Sequence, residues 1–297
     1  MTTTAVPTTF CRSYEEVTTT RVERPQRIAE LAATRRRRPV GSERLMIVAA
    51  DHPARGALSV AGRPMAMSSR TELLDRLRTA LARPGVDGVL ATADVLEDLL
   101  LLGALEDKLV LTSMNRGGLA GSSWEVEDRF TAVTAEATRR SRFDGGKMLA
   151  RIDLDDDRTS LTLEMCARVV DELAERRLIA LVEPFLSSRV GGRLVNDLSP
   201  DAVIRSIHIA QALGSTSAWT WLKLPAVDDM ERVMDATTLP SLLLGGDPGD
   251  DADAGFDRLS RALRLHNVRG LVLGRSLLYP ADDDVAGAVD TAVGITR

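Results

Sequence analysis

The sequence predicts an α/β protein, a (β/α)8 or TIM barrel that follows an N-terminal helical extension. Apolar runs of strand length alternate eight times with amphipathic helical segments from Leu45 onwards. Most of these runs are apolar throughout, which is typical of strands buried on both faces of a parallel sheet. No glycine-rich dinucleotide fingerprint follows the first run, and this favours a closed barrel over an open doubly wound sheet. We therefore expect an extension over residues 1–43 and a barrel domain over residues 44–297.

The extension begins with a threonine-rich stretch and continues into a predicted helix, Pro25–Arg38. Ile28, Leu31 and Ala32 give this helix an apolar stripe that can pack on the barrel. The run Arg35–Arg38 could bind phosphate or nucleic acid. Four arginines at helical spacing point in different directions, however, so we favour a solvated face.

The predicted strands end at polar or glycine-rich segments, and the predicted helices carry apolar residues at three- and four-residue spacing. The strands are Leu45–Ala50, Val86–Ala91, Leu109–Thr112, Gly145–Leu154, Leu178–Phe185, the run around Lys223, Leu242–Leu244 and Val268–Leu273. The helices are Ser69–Ala82, Ala93–Glu106, Phe130–Ser141, Thr159–Arg176, a helix that Ser199 caps and Gly214 stops, Asp228–Ala236, Ala252–His266 and Asp283–Val293. The segments SMNRGGLAGSSW and SSRVGGRLVND are predicted loops.

The charge and the cysteine content of the chain limit the partners and the compartment that we expect for it. A formal charge of -5 gives no bulk reason to expect nucleic acid or an anionic membrane. Cys11 and Cys166 match no metal-binding or redox spacing, which suggests free thiols in a reducing cytoplasm. The longest apolar run, Leu99–Leu105, is too short to span a bilayer, and the N-terminus does not resemble a signal peptide.

Function in such barrels lies at the C-terminal ends of the strands. That rule selects a set of polar and glycine residues as candidates. They are Asp51, Asn115, Glu183, Lys223, Gly246 and Arg275, with Lys147 deeper in its strand. The histidines are scattered, because His208 and His266 fall in or at the end of predicted helices, so we expect no metal site.

Lys223 is the candidate nucleophile. A lysine inside a barrel strand loses most of its hydration, which favours the neutral amine. To attack a carbonyl its pKa has to fall from about 10.4 towards about 7. Trp219 and Trp221 alternate on the same face and could form an apolar wall, and Lys147 supplies a second cation. The alternative is that Lys223 only forms a structural salt bridge with Glu183.

Glu183 ends a strand where an apolar residue would be usual, and its carboxylate suits proton transfer to and from substrate oxygen, above all if burial raises its pKa. Asp51 could assist it, or could only cap the next helix.

Two glycine-containing turns at the ends of strands seven and eight suit phosphate, which barrels commonly bind there. They bring Gly245, Gly246, Gly274 and Arg275 to one side of the mouth. Arg151 and Arg189 are further basic groups on or after strands four and five, although a solvated arginine is the default for Arg189.

The sequence resembles the imine-forming aldolases of the deoxyribose-phosphate aldolase and bacterial or archaeal fructose-bisphosphate aldolase superfamily, from Leu45 to Pro280. Tagatose-bisphosphate aldolase is similar at the lysine of strand four and the Glu-Pro of strand five. The motifs, in order along the chain, are DHPARG, GGKML, LVEP, WLKLP, LPSLLLGG and VLGRSLL.

This resemblance implies a Schiff-base lysine at Lys223, with Lys147 and Glu183 as its polar partners and Asp51 near the reacting carbon. It implies a phosphate at Gly246 and Arg275, a phosphorylated sugar or sugar acid as substrate, dihydroxyacetone phosphate as a product, no cofactor, no metal and a homo-oligomer.

The sequence departs from the pattern in three places. Archaeal fructose-bisphosphate aldolases have tyrosine where Glu183 stands, the loop after strand one is longer, and Asp247 lies beside the predicted phosphate site. The sequence also resembles actinobacterial proteins linked to inositol catabolism. Their substrate would be 5-dehydro-2-deoxygluconate 6-phosphate, whose carboxylate needs a second basic site, for which Arg151 or Arg189 is available. Alternatives are a deoxyribose-phosphate-type aldolase, a thiolase-like acyltransferase of the same superfamily and a non-catalytic phosphosugar-binding barrel.

Overall fold

The computed structural model describes residues 9–115, 118–245 and 252–297, with only the backbone of 252–254. In these residues eight parallel strands close into a barrel in the order β1–β2–β3–β4–β5–β7–β8–β9, and β9 pairs again with β1. A short strand, β6, pairs antiparallel with the end of β5. The strands are β1 Leu45–Ala49, β2 Gly88–Ala91, β3 Leu109–Ser113, β4 Gly145–Ile152, β5 Ile179–Val190, β6 Arg193–Asn196, β7 Thr220–Pro225, β8 Ser241–Leu244 and β9 Val268–Leu273. The predicted (β/α)8 barrel is thereby confirmed.

Helices surround the barrel and cover the outer faces of its strands. No helix of the described ranges is both long and apolar enough to cross a membrane. The helices are α1 Tyr14–Glu23, α2 Arg27–Thr34, α3 Arg70–Ala82, α4 Ala93–Leu101, α5 Ala135–Arg140, α6 Arg158–Glu175, α7 Pro200–Gln211, α8 Met230–Asp235, α9 Ala252–Ala262, α10 Arg275–Leu278 and α11 Val285–Thr296. A 3₁₀ turn, His52–Arg55, follows β1.

Side chains alternate along each strand between the helical layer and the barrel interior. Met46 and Val48 of β1 pack with the helices, whereas Leu45 and Ile47 belong to a separate buried cluster inside the barrel. The interior of the barrel is therefore apolar at its N-terminal end. At the C-terminal end the inward positions become polar, which is where the candidate site begins.

The predicted loop SSRVGGRLVND is wrong. β5 continues four residues beyond Leu186 and turns at Gly191 and Gly192 into β6, with Ser187 paired to Asn196. Both glycines have positive φ, 59° and 81°, as a two-residue hairpin turn requires. The hairpin was missed because it lies beyond the barrel wall, where most of its side chains are exposed and no apolar pattern marks it.

The predicted helix Pro25–Arg38 is present only in part, as α2, and the arginines that follow it do not form a solvated helical face. Two helices, α1 and α2, pack on the barrel, and α2 ends at Thr34. Arg35 leaves the helical conformation with φ -52° and ψ 132°, and its side chain is fully buried. The guanidinium donates to the carbonyl oxygens of Lys108 at 2.7 Å and of Arg142 at 2.7 Å.

Two aspartates at the N-terminal end of the barrel form ion pairs with arginines of the run Arg35–Arg38. Asp144, just before β4, accepts from the Val110 amide at 2.8 Å and pairs with Arg35 at 3.5 Å. Asp87, just before β2, accepts from the Met46 amide at 2.8 Å and pairs with Arg38 at 2.8 Å. Each carboxylate joins the amide of a neighbouring strand to a cation of the extension, so the arginine run fastens the extension to the base of the barrel.

We expect Arg35→Ala to lower the free energy of unfolding by about 3–5 kcal/mol, because removing one partner of a buried ion pair leaves polar groups unsatisfied. Denaturant titration of the full chain measures this change. The matched control is Arg36→Ala. Arg36 has a side chain that is 67% exposed and pairs with Asp107, and its loss should change stability by less than about 0.5 kcal/mol. Equal effects of the two substitutions would contradict the buried role of Arg35.

Candidate active site

Four titratable side chains meet inside the C-terminal end of the barrel. Asp51 follows β1, Lys147 lies in β4, Glu183 in β5 and Lys223 in β7. All four are buried, and the Lys147 side chain has no exposed surface. They occupy inward positions of their strands, since their sequence neighbours, such as Met148 and Leu224, pack among the helices. The structure thus brings together four residues that are far apart in sequence.

The four side chains form a continuous chain of charges across the barrel. Lys223 Nζ lies 2.9 Å from Glu183 Oε1, and Lys147 Nζ contacts Glu183 Oε2. Lys147 Nζ also donates to Asp51 Oδ2 at 3.1 Å. Each oxygen of the Glu183 carboxylate therefore has a lysine ammonium beside it.

The electrostatics differ from the expectation for Glu183. Burial alone would raise the pKa of its carboxyl, but Lys147, Lys223 and Arg55 lower the pKa to about 2. The rise of this pKa, which would favour proton transfer, is therefore absent, because two lysines touch the carboxylate. Glu183 is a carboxylate at neutral pH and can accept a proton.

The same balance of burial and charge acts on the other members. Burial would raise the pKa of Asp51, but Lys147 and Arg55 hold it well below its usual range. Burial lowers the pKa of Lys147, and the nearby Arg55 adds to that effect, while Asp51 and Glu183 oppose it. The charges of the cluster depend on one another, so a change at one position alters the protonation of the rest.

The predicted apolar wall beside Lys223 is half present. Trp221, two residues earlier on β7, packs against the interior apolar cluster that contains Leu181 and Leu242. Trp219 lies before β7 begins and is 37% exposed, so it does not line the interior. The inward face of β7 was therefore predicted to begin two residues too early, at Trp219 instead of Trp221.

Three residues of the site were not predicted, or were given no role there. Ser113 donates to Asp51 Oδ2 at 3.1 Å, and Arg55 Nη2 lies 3.4 Å from the same oxygen. His52 lies with its Nδ1 4.0 Å from Asp51 Oδ1. The alternation of β3 could have identified Ser113, because it is the inward residue two positions before Asn115. Nothing in the sequence pattern shows where the turn after β1 directs Arg55.

Asn115 was selected as a candidate because it follows a predicted strand, but its side chain has a structural role. Its side-chain amide donates to the Leu149 carbonyl at 2.7 Å and accepts from the Leu149 amide at 2.8 Å. A further contact of 3.4 Å reaches the Asp128 carbonyl. Asn115 thus ties the loop after β3 to the upper part of β4.

The predicted phosphate residues lie at the ends of β8 and β9. Gly274 runs so close to β1 that a side chain there would lie 2.7 Å from the Ala49 carbonyl and 3.0 Å from the His52 ring. Gly245 follows β8, and Arg275 is the first residue of α10. Gly246 and Asp247 lie outside the described residues. A phosphate site at these strand ends remains a prediction.

The two predicted accessory arginines are both engaged. Arg151 is buried and pairs with Asp128 at 3.0 Å and with Glu125 at 3.2 Å. Arg189 extends along the β5–β6 hairpin, where it donates to the Ser123 carbonyl at 3.1 Å and lies 4.0 Å from Asp156. Both side chains hold the loop after β3 in place rather than join the lysine–carboxylate cluster.

Other parts of the described structure offer less chemistry. A cleft of about 740 Å³ opens between α3 and the segment after α4, far from the cluster. Of its four charged residues, Asp75 and Arg78 lie 3.9 Å from each other and are exposed. Within the described ranges, no three His, Cys, Asp or Glu side chains are grouped to hold a metal ion. We assign the candidate site to the barrel mouth.

Fold and site together define a (β/α)8 barrel with a buried lysine–carboxylate cluster at its C-terminal mouth. The chain belongs to the Cgl0159-like family, which matches residues 43–293. It is similar to Cgl0159 from Corynebacterium glutamicum, with 50% sequence identity and a TM-score of 0.93 over 97% of this chain and 98% of that chain. No curated protein matches.

More distant structures share the barrel. One is an archaeal fructose-1,6-bisphosphate aldolase with its catalytic lysine covalently bound to a carbinolamine intermediate, at 17% identity and a TM-score of 0.64 over 91% of this chain and 99% of that chain. Another is fructose-bisphosphate aldolase from Slackia heliotrinireducens, at 13% identity and a TM-score of 0.62 over 99% of this chain and 94% of that chain. At such identity the likeness establishes the fold.

We expect His52 to stay neutral at working pH. Burial lowers the pKa of its imidazole to about 3. The negative charge of Asp51 acts to raise this pKa, and the positive charges of Arg275 and Arg55 act to lower it. Its Cε1–H resonance should therefore keep one chemical shift between about pH 5 and pH 8, where an ordinary imidazole titrates. Proton NMR measures this, with the spectrum of His52→Gln as the assignment. A midpoint near pH 6.5 would show that the ring is solvated instead.

Proposed function

We propose that this protein is a lyase, a Schiff-base aldolase that cleaves a phosphorylated ketose or keto-sugar acid to dihydroxyacetone phosphate and an aldehyde. The observation that carries the proposal is the buried Lys223 amine, 2.9 Å from a carboxylate that a second buried lysine also contacts. The shared fold with an aldolase whose catalytic lysine binds its substrate covalently supports it.

In this proposal the neutral amine of Lys223 attacks the substrate ketone and forms a carbinolamine. The proton that Glu183 takes from Lys223 returns to the carbinolamine hydroxyl, which leaves as water and gives a protonated imine that draws electrons from the adjacent carbon–carbon bond. Attack requires that Lys223 first lose a proton, and Glu183 Oε1 at 2.9 Å is placed to take it. The protonated imine carries its positive charge on the same nitrogen as the ammonium of Lys223. Glu183 therefore keeps a cation beside it after the covalent step.

Glu183 is the acid and base of the proposed reaction. As the carbon–carbon bond breaks, its carboxylate takes the proton of the substrate hydroxyl, the aldehyde leaves and an enamine remains on Lys223. The enamine is then protonated on carbon, and water releases dihydroxyacetone phosphate. Lys147 stabilises the carboxylate form of Glu183 and orients it, while Ser113 and Lys147 fix the carboxylate of Asp51.

The substrate carries a phosphate in this proposal. Gly245, Gly246, Gly274 and Arg275 are the proposed phosphate ligands, because in sequence they directly follow β8 and β9, the two strands after Lys223. Cleavage of 5-dehydro-2-deoxygluconate 6-phosphate, in inositol catabolism, is the finer hypothesis. A cytoplasmic homo-oligomer that needs neither metal nor cofactor completes the proposal.

The contact between Lys223 and Glu183 also favours a second candidate, a phosphosugar-binding barrel in which this pair is purely structural. Such a barrel would need the same charge compensation but would form no imine. A thiolase-like acyltransferase would form the covalent bond yet depend on coenzyme A. Trapping the imine separates the binding protein from both enzymes, and omission of coenzyme A separates the enzymes from each other.

We expect borohydride, added with dihydroxyacetone phosphate, to fix a covalent adduct on Lys223. The whole chain contains only three lysines, Lys108, Lys147 and Lys223, so peptide mass spectrometry assigns the adduct without ambiguity. Lys223→Ala should lose both the adduct and cleavage. It should remain folded, because Glu183 keeps its contact with Lys147.

Lys108→Arg is the matched control for trapping. Lys108 donates to the Val86 carbonyl at 2.7 Å, at the opposite end of the barrel, and its replacement should leave the adduct in place. An adduct on Lys147 in the wild-type protein would move the nucleophile to β4. Absence of any adduct with phosphorylated ketoses would favour the binding protein.

We expect Glu183→Gln to slow cleavage by about 100-fold or more, because proton transfer by a positioned side chain contributes an effect of that size. Single-turnover measurement should also show slower imine formation, since Glu183 is the proposed acceptor of the Lys223 proton. Glu164→Gln, an exposed acid of α6 that pairs with Arg168 at 2.9 Å, serves as the control with unchanged turnover. A loss of only a few-fold in Glu183→Gln would assign the proton transfer to another group.

A further inference from the structure

Arg55 is a cation of the barrel mouth to which the proposed reaction gives no task. It ends the 3₁₀ turn that follows β1, and Gly56, at φ 73°, terminates that turn. Its backbone carbonyl accepts from the Ala120 amide at 3.0 Å, so the loop after β3 anchors it. The position of Arg55 is therefore fixed from two sides, while its side chain extends towards the cluster.

The guanidinium of Arg55 is only partly used. Its one ion pair among the described residues is a long contact, 3.4 Å from Nη2 to Asp51 Oδ2. That oxygen already accepts from Lys147 and from Ser113, both at 3.1 Å. Arg55 Nε is buried and has no hydrogen-bond partner within the described ranges. A buried donor without a partner is costly, and an arginine fork can hold two oxygens of one anion at once.

The charge of Arg55 acts on the whole cluster. It lowers the pKa of Asp51, of Glu183 and of Lys147, so it lies within electrostatic reach of each. When Lys223 is protonated, or carries the protonated imine of the proposed reaction, its charge and those of Lys147 and Arg55 face two carboxylates, and the described cluster has one positive charge in excess. An anionic ligand group beside Arg55 would balance that excess.

His52 lies near both Arg55 and Gly274. Both Arg55 and Arg275 act on the pKa of His52, and the Gly274 backbone lies against its ring. Two basic positions therefore lie near the same imidazole, one after β9 and one after β1. A ligand held at both would carry two anionic groups.

The other arginines considered for a second anion are not available in the same way. Two carboxylates surround Arg151, and Arg189 is bound to the Ser123 carbonyl on the hairpin. Arg55 is the arginine that touches the cluster itself.

We propose that Arg55 binds the anionic group on the aldehyde half of the substrate, the half that does not remain attached to Lys223. This inference rests on the proposed aldolase function and deepens it, because it requires an acceptor aldehyde that carries a carboxylate or a phosphate. Arg55 is then the residue that selects anionic over neutral aldehydes.

The test compares condensation of dihydroxyacetone phosphate with three aldehydes, namely malonate semialdehyde, glyceraldehyde 3-phosphate and neutral propionaldehyde. Arg55→Gln should raise KM for one of the two anionic aldehydes by about 10- to 100-fold, as expected for a lost hydrogen bond to a charged group. KM for propionaldehyde should not change. The anionic aldehyde that is affected identifies the carboxylate or the phosphate as the recognised group.

Two further variants complete the comparison. Arg55→Lys keeps the charge without the planar fork and should recover part of the affinity. It also carries the test if Arg55→Gln does not fold. Arg63→Gln is the control, since Arg63 lies on the same connection, is exposed and donates to the Tyr279 carbonyl at 2.8 Å. A loss shared equally by anionic and neutral aldehydes would overturn the proposal, because Arg55 would then act only through Asp51.

A readout without turnover separates this proposal from the proposed function. Calorimetric titration with 3-phosphoglycerate, which has two anionic groups and no ketone, should show about 10-fold weaker binding to Arg55→Gln than to the wild-type protein. Equal affinity would overturn the role of Arg55. Failure of borohydride to trap dihydroxyacetone phosphate on Lys223 would overturn the aldolase function instead, and the titration would still decide whether Arg55 binds the anion.

Discussion

The site depends on the compensation of charge around Glu183. A carboxylate inside a barrel loses most of its hydration, at a cost that only close cations and hydrogen bonds offset. Lys147 and Lys223 contact its two oxygens, one from β4 and one from β7. The position of each lysine is therefore set by a charge on another strand, and the cluster cannot be understood one residue at a time.

The barrel supplies this arrangement through register. Leu149 pairs with Glu183 across β4 and β5, so Lys147 starts one inward level below the carboxylate and extends up to it. Gly145 allows these strands to approach, because a side chain there would lie 2.4 Å from the Ile179 carbonyl. Closure of the sheet then brings Asp51 of the first strand to the opposite side of Lys147. The length of the lysine side chains and the stagger of the strands together bring the four charged groups into contact.

The sequence predicted the barrel and the polar residues that meet inside it for a common reason. Strands buried on both faces are uniformly apolar, so polar residues such as Glu183 and Lys223 stand out within them. The same reasoning fails where an environment depends on distant partners. Arg35 looks like its three arginine neighbours, yet it alone is fully buried, because carbonyls some 70 and 107 residues away converge on it. The direction of the pKa shift of Glu183 could not be predicted for a similar reason. Burial can be inferred from a sequence pattern, but the number of cations that contact the carboxylate cannot.

The two ends of the barrel use different cations, and the difference fits their tasks. Of the 38 basic residues 35 are arginine, yet two of the three lysines lie inside the barrel. At the N-terminal end Arg35, Arg37 and Arg38 pair with Asp144 and Asp87, where a permanent charge and a forked donor hold the extension in place. An arginine cannot give up its proton, whereas a desolvated lysine can become a neutral amine. A barrel that only needed buried charge balance could use arginine at both ends. The restriction of the interior lysines to the C-terminal end favours the proposed chemistry, in which a proton has to leave an amine.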